Sequence, residues 1–550
     1  TVSARSGLAV YGSFGNEMLI NNGSIVGDIK LNGGRSKERN WFYNNAGAYY
    51  QSRANGIVDL GYSSGHVFSN AGDFGVGAED EITKVKIDGN LVVEDSGRLL
   101  IDVRRDDAGG LSNDRINVTR DVTFKQGSTV RPNVIGDLQK NDTFTVVTAG
   151  RKMTGTPGTS GYSPFRWGYE ATSKNELKMQ VAGLNFGNAG MTGIEDDMVV
   201  SWTRAWEAGN VGASAFFGAL SSVETQEEFD DAVESLSPDS QMQPAANMTI
   251  SSQAALNSAL SCPSFDEDTL VLVEGQCVWL RQSYQRSETT ESAEHDGYTD
   301  QSRTFRFGGQ MEVAPDWFLG TSIGVTNSWG HSSDRYTTVE GDRTEVAVAL
   351  KHQIGPWLVA GAAEAGYGTY DLTNTFDVGD DIWVGRASPD VKTAGFRARA
   401  SYEFTYDKGY LRPVLDLDAV FTSMSGYQMD GDTLDLQVHG INEWTYAAHP
   451  GIEAGTRVDL NANSWMRLYS KVGMTFLSNA GLTSDVTAHD NGAEAFRFRS
   501  STALPDTMFD FTAGVQFMSN DKFELRGEYN AKLGDHFESQ SATLRLAVRF

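Results

Sequence analysis

Cysteine, proline and long apolar runs are all scarce in this 550-residue sequence. No stretch of about 18 apolar residues occurs, so no transmembrane helix can be drawn, although a membrane-spanning barrel, whose strands are short and only half apolar, is not excluded. Bases are outnumbered, 45 against 72 acids, which argues against nucleic acid or an anionic surface as a general partner. Proline is sparse at 12, glycine frequent at 59, and apolar residues make up only 39%, a balance that favours an all-β chain with many turns over a helical one. The length is too great for one ordinary core, so two or more domains are expected. No signal-peptide pattern precedes Thr1, and the chain opens inside a Gly/Asn-rich pattern, as a mature or truncated product would.

From about residue 278 the sequence resolves into alternating segments of barrel-strand length. In "RTEVAVALKHQI", Val346, Val348 and Leu350 share one face, and Glu345, Ala347, Ala349 and Lys351 the other. In "GFRARASYEF", Phe396 to Phe404 alternate with Arg397, Arg399, Ser401 and Glu403. Twelve such segments begin near Val278, Arg303, Trp317, Arg343, Pro356, Val391, Tyr410, Glu443, Ser464, Met508, Lys522 and Glu538. Their connections alternate between long ("WGHSSDRYTTVEGD") and short ("APD", "GP", "YDKG", "NAN", "SND"). A soluble sandwich has no need of that rhythm; a transmembrane barrel does, because tight turns lie on one side of the membrane and longer loops on the other. Trp279, Trp317, Trp357, Trp444, Trp465 and Tyr410, near strand ends, suit an interfacial girdle. The last segment, "SATLRLAVRF", would turn Leu544, Leu546, Val548 and Phe550 to lipid and would pair with the first strand to remove both edges.

Before the barrel, Val223 to Leu236 reads as an acidic helix, and Ala245 to Leu260 as a slim helix rich in Ala, Ser and Asn. At about 1.5 Å per residue, 16 to 20 residues span about 24 to 30 Å, near the thickness of a bilayer core. Such a helix either plugs the barrel, whose inner faces are polar enough to accept it, or is an exposed linker. Residues 1 to about 185 carry short β-prone runs between Gly/Asn/Asp turns, as in "KVKIDGNLVVEDSGRLLIDVRRD", at a loose spacing of about 20 residues, the pattern of a parallel β-helix whose coils bury one another's apolar rungs. The expected rungs are Ile25, Ile29 and Leu31; Ile57, Val58 and Leu60; Val85, Ile87, Leu91 and Val93; Leu99, Ile101 and Val103. An ordinary sandwich is the alternative.

In this order, with "NDRINVTRDVTFKQGSTVRPNVIGDLQKNDTFTVVTAG" leading to an acidic-to-small helix and then to "CVWLRQSYQR" and a terminal "LRLAVRF", the chain resembles a monomeric, type Va autotransporter over nearly its whole length. The resemblance implies an N-terminal right-handed parallel β-helix over residues 1–185, with a pertactin-like, autochaperone-like segment at about 85–185. A connecting region (186–222), a linker or plug helix (223–262) and a 12-stranded antiparallel transmembrane β-barrel (263–550) would follow. It further implies a Gram-negative outer membrane, an N-terminal domain exposed at the cell surface, a monomer, and outer-membrane lipid, the barrel assembly machinery, periplasmic chaperones and an unidentified surface ligand as partners, with no nucleic acid. Leu544, Leu546, Val548 and Phe550 resemble the terminal signal that the assembly machinery reads. The exposed part would export itself through the barrel and act as an adhesin or interaction surface; the alternative is a stem and anchor for a surface enzyme whose catalytic domain lies upstream of residue 1.

The two cysteines, Cys262 and Cys277, are either unrelated thiols or a disulfide; their loop of about 15 residues suits a disulfide, which an outer-membrane address would make the expected state. Chemistry is otherwise scarce. "GYSSG" at Gly61 to Gly65 matches a nucleophile elbow at Ser63, but no helix follows and His66 stands only three residues away. "GTSG" at Gly158 to Gly161 lacks a base. His331, His352, His439, His449 and His536 show no zinc spacing, and "DVGDD" at Asp377 to Asp381 reads as a solvated acidic loop. Some autotransporters cut themselves at a helix asparagine, for which Asn247 and Asn257 are placed, but the flanking residues do not match, so the passenger is expected to stay attached. No catalytic residue, cofactor or metal is expected.

Overall fold

The computed structural model describes residues 1–31, 39–61, 63–106, 108–186, 194–210, 213–260, 262–265, 271–292, 295–406, 409–430, 434–461, 463–490 and 492–550. Tyr62 of the elbow-like motif, Asp407 and Lys408 of one short turn, and residues 187–193 of the connecting region lie outside the described residues.

The N-terminal part is a stack of coils with parallel strips. One strip runs through Met18–Asn21, Trp41–Asn44, Val67–Asn70, Asn90–Val93, Val122–Phe124 and Met153–Thr154, each strand parallel to the next. Ser24–Lys30, stacked on Val2–Tyr11, is long enough to serve two more strips, pairing with Tyr49–Gln51 through its first half and with Gly56–Asp59 through its second. Gly27 stands at the bend between them with φ +127°, and a Cβ there would meet the carbonyl oxygen of Gly7 at 2.7 Å, so only glycine suits the position. The sequence rungs are buried as expected except for Ile57, which faces outward beside buried Val58. Coils are longer than about 20 residues: Leu19 stacks on Phe42, Phe42 on Phe68 and Leu91 on Val122, steps of 23, 26 and 31. A buried asparagine ladder fixes the register of the first coils, with Asn21 Nδ2 donating to Asn44 Oδ1 (2.8 Å) and Asn44 Nδ2 to Asn70 Oδ1 (2.7 Å). Such a ladder satisfies the amide groups inside the stack, where leaving them unpaired would cost about 1–3 kcal/mol each. An antiparallel hairpin, Phe165–Ala171 and Glu176–Leu184, closes the last coil on Thr143–Ala149.

Among the described residues four α-helices follow: α1 (Ile194–Glu207), α2 (Ser214–Leu220), α3 (Gln226–Leu236) and α4 (Gln243–Ala259). The first two fall where the sequence suggested only a connection. Met198, Trp202 and Trp206 of α1 are buried at a four-residue spacing, and Trp202 packs on Phe216, Phe229 and Phe496, joining helices to a barrel loop. Trp206 Nε1 donates to Leu138 O of the last coil (2.6 Å), so α1 also fastens the solenoid. Thr225 caps α3 in a reciprocal box with Glu228, which satisfies donors the first turn cannot pair internally.

The barrel has twelve strands: β1 (Cys277–Thr289), β2 (Tyr298–Ala314), β3 (Trp317–Ser332), β4 (Thr337–Ile354), β5 (Trp357–Val378), β6 (Asp390–Tyr402), β7 (Gly409–Met424), β8 (Ile441–Asn461), β9 (Ser464–Ser478), β10 (Thr507–Ser519), β11 (Phe523–Gly534) and β12 (Phe537–Arg549). Each is antiparallel to its neighbours, and β12 pairs with β1 along the whole of both, from Cys277–Arg549 to Thr289–Phe537, which closes the sheet. The twelve sequence segments correspond to these strands one for one. The long connections are not bare loops: Asp381–Ala387 folds back on β5, and Tyr427–Met429, Asp435–Val438, Gly481–Asp490 and Ala493–Ala503 make a separate sheet over the open end. No helix of the described residues is long and apolar enough to cross a membrane.

Candidate functional site: the plugged lumen

Side-chain parity divides the barrel wall. Leu544, Leu546, Val548 and Phe550 face outward, 52%, 53%, 42% and 71% exposed, while Arg545 and Arg549 between them are buried. Of the six aromatic residues expected at the interface, Trp317, Trp357 and Trp444 do face outward. Trp279, Trp465 and Tyr410 instead point into the lumen, because they share parity with inward neighbours such as Arg281, Arg467 and Arg412.

The lumen holds α4. Small residues let it fit: a Cβ on Gly395 of β6 would stand 2.6 Å from Ser252 Oγ, and one on Gly320 of β3 would stand 2.7 Å from Ala259 O. Polar bonds tie it to the wall. Thr249 bonds Thr422 (2.7 Å), Ser251 donates to Glu345, Ser252 donates to Glu364, and Asn257 Oδ1 accepts from Arg399 Nη2 (2.7 Å). These contacts fall on β4 to β7, so the helix leans on one side and leaves the other lined by charged groups. Asn247 is half-buried on the same helix.

On the helix side two cations of β6 face acids of β7 directly across the strand pair. Arg397 grips Asp418 through two bonds of 2.6 Å, and Arg399 grips Asp416 at 2.6 and 2.7 Å. His449 Nε2 stands 3.0 Å from Asp418 Oδ2, and Arg412 and Arg467 share Glu453. Paired, multiply bonded charges are how a wall can be polar without isolating a charge.

The short-turn end has a floor. Pro263–Phe265 pairs with Leu272–Glu274 inside the wall, Phe265 and Leu272 packing on Tyr410, Trp465 and Met518. Cys262 and Cys277 form a disulfide that staples this floor to the first residue of β1. Replacing both by serine is expected to lower barrel stability by about 3 kcal/mol, the value for a closed loop of about 15 residues, read as a lower midpoint in urea; an unchanged midpoint would mean that the floor is held by packing alone.

At the long-loop end, Asp239, just before α4, accepts from Asp296 N (2.8 Å) in the β1–β2 connection. Burial, and then Asp239 beside it, push the Asp296 carboxyl up to about 11. An acid raised in the folded state contributes most while it keeps its proton, so stability of this junction falls as pH rises from the ordinary carboxylate range toward about 11. Hydrogen-exchange protection around Asp239 is expected to decline between about pH 5 and about pH 9 in the native chain and to flatten in Asp296→Asn; a flat native profile would refute the raised Asp296 carboxyl.

The elbow-like motif is built into a solenoid turn: Ser63 Oγ accepts from Gly65 N (3.4 Å), and buried His66 accepts from Asn40 N through Nδ1 (2.9 Å). Gly158 and Thr159 belong to a short strand on the last coil. Asp377 N donates to Ser235 Oγ and Asp380 N to Ser222 Oγ, so the "DVGDD" segment docks the helices. Among the described residues no group of three or more His, Cys, Asp or Glu side chains is placed to hold a metal.

Residues 278–530 match the family model described as the autotransporter beta-domain. This barrel is an autotransporter β-domain. The β-domain is an outer-membrane β-barrel of secretion and translocation, and solenoid, helices and barrel in one chain are consistent with type Va. In structure the chain is similar to the translocator domain of the autotransporter NalP from Neisseria meningitidis, at 13% identity and a TM-score of 0.45, covering 56% of this chain and 97% of that one. It is also similar to the transport unit of the autotransporter AIDA-I from Escherichia coli, at 16% identity and a TM-score of 0.38, covering 57% and 99%. No curated protein matches the sequence significantly.

Proposed function

We propose that the chain exports its own β-helical passenger through the barrel and then anchors it on the cell surface, where the solenoid acts by binding, as an adhesin or interaction surface. The observation that carries this reading is α4 inside the β-domain: a chain segment threaded through the lumen joins the floor at one end to the helices and solenoid at the other. The passenger stays attached, with Asn257 held by Arg399. Assembly passes through periplasmic chaperones and the outer-membrane barrel machinery, which reads Leu544, Leu546, Val548 and Phe550, and the mature protein is a monomer. Binding rather than catalysis is supported by the engagement of His66 and Ser63 in backbone bonds, and by exposed Tyr11, Met18 and Ile20 on the outermost coils.

Protease added to intact cells tests the topology. The expected result is loss of the solenoid and α1 to α3, with the barrel and α4 surviving as a heat-modifiable band. Protection of the solenoid until the outer membrane is opened would overturn it.

A further inference from the structure

The side of the lumen that α4 leaves free departs from the opposed-charge pairing seen between β6 and β7. Register places Arg526 of β11 opposite Arg545 of β12, Arg545 opposite Arg281 of β1, and Arg281 opposite Arg306 of β2. Four arginines thus stand side by side on four adjacent strands, all turned inward. Directly opposed residues have Cβ atoms only about 4.5–5.5 Å apart, and like charges so placed are destabilising. Nothing about closing a barrel requires that arrangement, since Arg397–Asp418 and Arg399–Asp416 show the same wall built with opposed charges.

Acids reach the belt from neighbouring rungs or, for Glu345, along the same rung across Gly324 of β3. Glu524 pairs with Arg526 (2.9 Å), Arg545 (3.0 Å) and Arg549 (3.0 Å), Glu528 pairs with Arg281 (3.2 Å), and Glu345 pairs with Arg306. Three carboxylates therefore serve five guanidiniums, leaving a surplus of two positive charges. The surplus is also visible as unmade bonds: Nε of Arg281, Arg526 and Arg545 and Nη1 of Arg306 are buried without a hydrogen-bond partner. Trp279 lies under the belt, its ring 5.3 Å from Arg545 and 5.9 Å from Arg281, which holds the guanidinium planes in place. Arg281, Arg306 and Arg526 line a cavity of about 330 Å³, room for several water molecules or a small hydrated ion.

We propose that this arginine belt is a binding site for a soluble polyvalent oxyanion of the phosphate or pyrophosphate class. A divalent oxyanion would neutralise the surplus and accept from the orphaned N–H groups of several arginines, for which the planar guanidinium fork is suited. The site requires only the folded barrel, so it stands or falls independently of passenger export.

Calorimetric titration of the purified full chain in phosphate-free detergent micelles, with inorganic pyrophosphate as probe and ionic strength held constant, tests it. Saturable binding at one ion per chain is expected, with chloride at least about tenfold weaker. Arg281→Gln and Arg526→Gln should each weaken pyrophosphate by about tenfold or more, whereas Lys522→Gln, which removes an exposed cation in the β10–β11 turn outside the cavity, should leave it unchanged. Heat-modifiable migration shows which variants are folded. If neither belt variant folds, the native chain alone decides: pyrophosphate should raise its unfolding temperature more than chloride does at matched ionic strength. Absence of saturable binding, equal effects of the two anions, or equal weakening by all three variants would overturn the site.

Discussion

Deleting Phe537–Phe550 is expected to abolish the folded barrel altogether. Strand β12 is registered with β1 at 13 positions and with β11 at 12, so its loss opens the ring and strips both neighbours of their partners. In water an edge strand is a liability; in hydrocarbon each unpaired N–H or C=O costs several kcal/mol. A few such groups exceed the roughly 5–15 kcal/mol by which a domain is stable. No heat-modifiable band should therefore be recovered from membranes, and a truncated chain that still gave one would show that β1 and β11 can pair directly. Phe550→Ser removes no ladder bond, and its expected effect is a smaller amount of correctly folded barrel at the surface, through the proposed terminal signal rather than through stability.

The same ladder explains what could be read from the residues alone. A period of two with barrel-length runs is local information, so "RTEVAVALKHQI" and "SATLRLAVRF" declare their inner and outer faces without a partner. The belt is not local: that Arg281 meets Arg306 on one side and Arg545 on the other depends on the stagger of three strands, and a slip of one residue would separate them. Helix α1 was legible in principle from Met198, Trp202 and Trp206 at four-residue spacing, but neighbouring Gly and Asn residues masked it as a connection. The sheet over the open end was hidden for the opposite reason. "GLTSDVTAHD" alternates like a barrel strand, yet it pairs with Ala493–Ala503 of its own connection and with Asp435–Val438 of another loop. For inner aromatic residues such as Trp465, parity and not position near a strand end decides which way the side chain faces.

Replacing Lys351 by alanine is expected to cost about 3–5 kcal/mol, the penalty for stranding one member of a buried ion pair. Lys351 lies on the inner face of β4 and is 0% exposed; its Nζ donates to Glu274 Oε2 at 2.6 Å, and Gln310 Nε2 donates to the same oxygen at 2.9 Å. Glu274 is the last residue of the floor hairpin, so the pair couples the floor to the wall three strands away from the disulfide-bearing β1. With the lysine gone, a carboxylate sealed from water keeps only an amide donor. The urea midpoint of the purified barrel should fall accordingly, and Glu274→Ala should do similar damage by stranding the ammonium. The double change Lys351→Met with Glu274→Leu removes both charges while keeping most of the volume, and should recover most of the loss because neither desolvation penalty remains. If the double variant is instead as unstable as the two single changes added together, the pair contributes no coupling, and the floor must be held by Phe265, Leu272 and the disulfide alone.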